Sequence, residues 1–250
     1  MGTTAQSAVP VNAAIVPGTE LLNPRWLTER IADMGISWGT ADSRVSGTLW
    51  WCMAASSLVT PIVSAYAAGR PAMNPALDHI ACEIRPDGGI ERVLPLPAAS
   101  ELGTHGDEPC HCATAATGQD APDETEPTAL ASGCTGSSAG PALRHTLSQV
   151  IPVVAEVSGA GPAALWAIVA DAIGNRALDI GAQESGAQLA RDIAGRLPIP
   201  RFIDIAPRTF VRRISCCLVF EVPGCDMCTS CPKRPAPQRE ALLAELAARG

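Results

Sequence analysis

Apolar residues recur at helical spacing from Leu27 through Ile31 to Met34, and Asn23 followed by Pro24 supplies an N-cap and a first helical residue. The pattern predicts a short helix closed by Gly35. Residues 1–20 show no clear periodicity and read as a loosely held lead-in. Between Arg44 and Arg70 lie 25 uncharged residues, among them Leu49, Trp50, Trp51, Leu58, Val59, Ile62 and Val63. That run is long enough to cross a bilayer. Ser56, Ser57, Thr60, Pro61 and Ser64 interrupt it and no basic cluster flanks it, so a buried, kinked helix is expected. Two strand-like runs, 80–85 and 90–96, flank Pro86-Asp87-Gly88-Gly89 and predict a β-hairpin.

After Gly140-Pro141 the apolar positions are Leu143, Leu147, Val150, Ile151 and Val154; after Gly161-Pro162 they are Leu165, Ile168, Val169 and Ile173. Both runs predict helices, and a further helix is expected over residues 185–197, stopped by Pro198 and Pro200. Near the C-terminus Phe210, Ile214, Leu218, Phe220 and Val222 alternate as on a strand, with Cys216 on the same face. Residues 98–140 lose all periodicity and read as an acidic insert. The expected fold is α+β, mainly helical with a small β-hairpin or sheet near 80–96. It divides into a helical domain over 1–200 and a cysteine-rich C-terminal segment over 201–250.

Composition sharpens this reading. Of 250 residues, 47% are hydrophobic and 17% charged, which is too apolar for a disordered chain. Gly and Pro number 22 each, so short helices and many turns are expected. The net charge of −7 argues against a nucleic-acid partner. Seven acids and no bases fall between residues 101 and 140, so one segment carries the whole excess. The N-terminus lacks a basic and apolar export signal, which points to a reducing cytoplasm, where clustered cysteines serve metal or redox chemistry more often than disulfides. No transmembrane segment is expected; peripheral contact with a membrane stays open.

Five of the ten cysteines lie within sixteen residues: Cys216, Cys217, Cys225, Cys228 and Cys231. Four of them make the spacing C-C-x10-C-x2-C, and four thiolates suit either a tetrahedral zinc or a [2Fe-2S] unit. The Cys228-x2-Cys231 pair is expected to wrap one metal ion, and Pro223-Gly224 turns the chain so that the adjacent pair can return over the same site. On a regular strand Cys216 and Cys217 would point to opposite faces, so a bend or bulge is required near residues 215–218. Cys225 adds a C-x2-C-x2-C run that partly mimics a [4Fe-4S] pattern.

Arg212, Arg213, Ser215, Cys216 and Cys217, the Val-Pro-Gly turn, and Cys228-x2-Cys231-Pro232 resemble the C-terminal signature of FhuF-like ferric-siderophore reductases. The resemblance implies that Cys216, Cys217, Cys228 and Cys231 bind a [2Fe-2S] cluster that passes one electron to the ferric ion of a siderophore. It also implies an electron donor such as a ferredoxin or a reductase. One added electron weakens the hold of hard oxygen ligands on iron, so reduction is the release step. Two rival readings remain: a zinc-stabilised binding or regulatory module, and an iron-sulfur electron carrier or redox sensor with a protein partner.

Charge near the cluster is basic. Arg201, Arg208, Arg212, Arg213, Lys233, Arg234 and Arg239 face Asp204, Glu221 and Asp226, and this surplus offsets thiolate charge. Elsewhere Cys110, His111, Cys112, His105 and Cys134 sit in the acidic insert without fixed geometry. Cys52, Cys82 and Trp166 read as core residues, Asp42 as a helix cap, and His79 and His145 lack partners at ligand spacing.

Overall fold

The computed structural model describes residues 14–96 and 139–249. Strand β1 (Ala14–Pro17) leads through a 3-10 turn into helix α1 (Pro24–Trp38) and the long helix α2 (Ser43–Ala67). A hairpin of β2 (Ile80–Ile84) and β3 (Ile90–Pro95) comes next, then α3 (Ala139–Ser158), α4 (Pro162–Asp179) and α5 (Gln183–Ile193). A second hairpin, β4 (Phe202–Ile205) and β5 (Arg208–Val211), precedes the cysteines, and α6 (Ala236–Ala248) ends the described chain. The architecture is α+β and mainly helical. Two small antiparallel sheets flank the helices, ordered β1-β2-β3 and β4-β5.

Helix α1 begins as expected, with the Asn23 side chain accepting from the Trp26 amide at 3.3 Å. It runs one turn past Gly35, because Gly39, at φ 70°, is the residue that turns the chain, its amide reaching back to the carbonyls of Gly35 and Ile36. Gly35 serves close packing instead: a Cβ there would lie 2.8 Å from the Thr40 carbonyl oxygen.

Helix α2 is the centre of the core. Asp42 caps it, accepting from the amides of Arg44 and Val45. Its 25 residues correct the expectation of short helices: Pro61 lies inside the helix without ending it. The run that is long and apolar enough to span a membrane is a core helix here, with Trp50, Trp51, Val59, Ile62 and Val63 fully buried. Two indole N–H groups fix it in place. Trp50 donates to the Gly88 carbonyl and Trp51 to the Leu165 carbonyl, each at 2.9 Å, bolting α2 to the first hairpin and to α4.

Other departures from the expected elements have local causes. The lead-in carries β1, which pairs with β2 in register Val16 to Cys82. Helix α5 stops at Ile193 because Ala194 and Gly195 both adopt positive φ, ahead of the prolines expected to end it. Helix α6 carries little apolar periodicity, burying only Leu243 and Ala247. The acidic insert and the candidate ligands Cys110, His111, Cys112, His105 and Cys134 lie outside the described residues.

Candidate functional site

The strand expected to run through the cysteines ends at Val211. Beyond Val211 the chain is held by one buried acid rather than by a sheet. Asp171, on the core side of α4 and 5% exposed, accepts from the Ile214 amide at 3.1 Å, the Ser215 amide at 2.9 Å and the Ser215 hydroxyl at 2.5 Å. A carboxylate buried without partners is costly, and here three donors and a guanidinium satisfy it. The Arg213 Nε lies 3.6 Å from its Oδ2. Asp171 is the acid that reasoning from sequence missed; its signal was a lone charge inside an otherwise apolar helical run.

Downstream of that anchor the chain bends where the adjacent cysteines require it. Leu218 takes a left-handed conformation at φ 63° and opens a 3-10 turn over Val219–Glu221. Gly224, at φ 78°, turns the chain again within Pro223-Gly224. The C-x2-C stretch is itself a tight turn, closed by the Cys231 amide on the Cys228 carbonyl at 3.1 Å. Arg234 clamps that turn from outside, its guanidinium donating to the carbonyls of Met227 and Cys228. Glu221 ties the segment to the helical core through Arg44 of α2 and receives Lys233 at 3.7 Å, and the Lys233 ammonium also stands over the Phe220 ring.

These turns bring the four predicted cysteines together as two pairs. The sulfurs of Cys216 and Cys231 are 3.8 Å apart, and the thiol of Cys228 donates to the sulfur of Cys217. Cys228 and Cys231, expected to wrap one ion, each have a sulfur of the adjacent pair as their neighbour. Among the described residues, no three His, Cys, Asp or Glu side chains gather around a single point. Cys225 belongs to neither pair.

Electrostatics separate the two pairs. The Cys217 thiol is lowered to about 5, chiefly by the hydrogen bond from Cys228, with the Val219 amide and Arg213 adding to it against the opposing effect of burial. Cys228 is pushed up by giving that bond and by burial. Cys216 is pushed up by burial first and by Cys231 after it. Arg213 donates to the Cys228 sulfur at 3.5 Å. Burial disfavours its charge, but Cys217, Cys228 and Asp171 together outweigh that and hold it protonated.

Residues 213–233 match the FhuF 2Fe-2S C-terminal domain. The match is confined to this short stretch of the 250-residue chain. The match covers the cysteine turns and their arginine anchor and leaves the helical scaffold outside it. No curated protein and no solved structure matches the chain. The donor set of the FhuF-type segment fits such a group: four sulfurs in two pairs suit a binuclear centre, and Arg213 offsets thiolate charge.

Two spaces adjoin the segment. A small polar cavity of about 100 Å³ is lined by Asp171, Asn175, Arg176, Arg213, Ser215 and Cys52. Cys52 also lines a groove of about 580 Å³ together with Ser56, Thr60, Arg85, Arg92 and Arg176. It packs against the core as expected, and burial, with Cys217 adding to it, pushes its thiol up to about 12.

Proposed function

We propose that the protein is a cytoplasmic ferric-siderophore reductase in which Cys216, Cys217, Cys228 and Cys231 hold a [2Fe-2S] cluster, and that it releases Fe(II) for iron assimilation. The observation that supports this most is the placing of the Cys216 and Cys231 sulfurs 3.8 Å apart, with Cys217 and Cys228 in the same stretch, inside the segment that matches a FhuF 2Fe-2S domain. When bound, the cluster supplies single electrons, with potentials of about −400 mV in plant-type all-thiolate examples. The residues around it do the rest. Asp171 fixes the backbone ahead of the adjacent cysteines, Arg234 fixes the C-x2-C turn, and Arg213 brings a positive charge onto the sulfurs.

The substrate in this reading is a ferric chelate with anionic oxygen ligands. The groove beside Cys52 supplies arginine and hydroxyl donors for such a surface, and Cys52 also lines the small cavity that holds Arg213 and Ser215. Electrons come from a separate protein, a ferredoxin or a reductase, drawn by the basic residues of the C-terminal segment.

Anaerobic purification followed by iron and sulfide analysis tests the cofactor, with two irons and two sulfides per chain expected. The activity is tested by mixing the reduced protein with several ferric siderophores in the presence of a ferrous chelator. Stoichiometric ferrous trapping is expected. A loaded, reduced protein that liberates no ferrous iron from any of them is an electron carrier instead.

A further inference from the structure

The way the sulfurs pair carries a consequence for each iron, and it rests on the presence of the [2Fe-2S] cluster. Two thiolates bound tetrahedrally to one metal at about 2.3 Å lie about 3.8 Å apart. The Cys216 and Cys231 sulfurs stand 3.8 Å apart before any metal is considered. With those two matched, Cys217 and Cys228 are left for the other iron, on the side where Arg213 reaches the Cys228 sulfur at 3.5 Å. Covalent neighbours Cys216 and Cys217 thus take different partners, and Leu218 turns the chain immediately after them.

Arg213 breaks the symmetry between the pairs. Its guanidinium donates to Cys228 at 3.5 Å and its charge is felt at Cys217, while Asp171 anchors its other edge at 3.6 Å. No comparable cation touches Cys216 or Cys231 among the described residues. A positive charge with an N–H on a sulfur stabilises the metal site that gains an electron, and it acts most strongly on the nearer of two sites.

We infer that Cys216 and Cys231 share one iron, that Cys217 and Cys228 share the other, and that Arg213 is the positioning residue that makes the second iron the one reduced. The added electron, from dithionite in the test, converts one ferric ion to ferrous and leaves the other ferric. No bond to cysteine breaks and no proton is required. The pairing staples the chain crosswise, since each iron then joins the front of the segment to its back.

The test uses the full chain loaded with ⁵⁷Fe. Iron and sulfide content is measured first, so that absence of a cluster counts against the cofactor reading and not against the pairing. Mössbauer spectra of the reduced protein resolve a ferric and a ferrous doublet. In serine variants, C217S and C228S are expected to shift the ferrous doublet, and C216S and C231S the ferric one. If C228S and C231S shift the same doublet, the pairing is wrong. Should a serine variant lose its cluster, the cysteine β-protons of the native reduced protein give the same partition, because those on ferric and ferrous iron differ in the temperature dependence of their shifts.

For Arg213, R213Q is expected to disfavour reduction about tenfold, equivalent to about 59 mV for a one-electron couple. R213K, which keeps the charge, should recover part of that shift. An unchanged potential in R213Q at full iron content removes Arg213 from this role.

Discussion

The carboxylate of Asp171 receives the amide of Ser215 at 2.9 Å, across 44 residues of sequence. Through that contact a helix of the core sets the backbone from which Cys216 and Cys217 depart. With the Ile214 amide, the Ser215 hydroxyl and Arg213 also on the same carboxylate, Asp171 acts as the seat of the cysteine segment. Breaking a buried charged network by removing one partner typically costs about 3 kcal/mol or more. D171A is expected to lose most of its cluster, measured as iron per chain after anaerobic reconstitution. It should also melt lower even as the apoprotein, because the Ile214 and Ser215 amides and the Ser215 hydroxyl lose their acceptor and Arg213 loses one of its counter-charges. D171N keeps the shape and one acceptor and should lose less by both measurements.

Cys225 separates the four-cysteine reading from a five-cysteine one. It is half-buried, its amide closes a turn on the Val222 carbonyl at 3.1 Å, and its sulfur joins neither pair. C225A is expected to retain two irons and two sulfides with an unaltered visible spectrum. C228A, by contrast, removes a partner of Cys217 and should yield a colourless preparation. Loss of the cluster in C225A would point to a different ligand set.

The apoprotein has a titration signature of its own. Cys217 is lowered to about 5 by the Cys228 hydrogen bond first, then by the Val219 amide and Arg213, so it is a thiolate at neutral pH. Cys82 and Cys52 are each pushed up to about 12, by burial above all, and remain thiols. Iodoacetamide should therefore modify Cys217 ahead of Cys52 and Cys82 at pH 7. Its rate should stay level from pH 8 to pH 6 and fall as pH drops through about 5, the sign expected for a depressed acid. Peptide mass mapping across that range checks it; a rate that instead climbs steadily from pH 6 to pH 9 would mean an ordinary thiol.

Much of this arrangement was legible in the residues alone, and the parts that were not have identifiable causes. The helices announced themselves where caps and periodicity agreed, as at Asn23-Pro24 and Gly161-Pro162. The cysteine spacing marked the segment that matches the 2Fe-2S domain and the need for a bend within it, which Leu218 supplies. Alternation from Phe210 to Val222 misled because a period of two describes any extended chain, and here the chain leaves the sheet at Val211 to bond with Asp171. The crosswise pairing was hidden for a related reason. Sequence proximity of Cys228 and Cys231 suggested one shared ion, whereas long-range folding placed each beside a sulfur fifteen or eleven residues earlier. Neither contact has a local signature.

The scaffold that presents the site depends on a close helix crossing at Gly47. A Cβ there would come within 2.3 Å of the Ser158 Cβ at the end of α3, and Ser158 is itself buried, its hydroxyl bonded to the Val154 carbonyl at 2.6 Å and accepting from the Ala160 amide at 3.1 Å. The Ser43 hydroxyl also donates to the Ser158 carbonyl at 3.3 Å, so this crossing ties the start of α2 to the end of α3. G47A cannot be absorbed by a flexible side chain and should shift α2 against α3 at a cost of about 1–3 kcal/mol, despite the better helix propensity of alanine. For a chain of this size that corresponds to a drop in Tm of roughly 2–4 °C per kcal/mol, read by calorimetry on the loaded protein. The variant's cluster spectrum should stay native, because Gly47 lies on the part of α2 that meets α3 and takes no part in the contacts of Asp171, Arg213 or the sulfurs. A native Tm would show that α2 and α3 slide freely here, whereas a lost cluster at native Tm would tie this crossing directly to the cysteine segment.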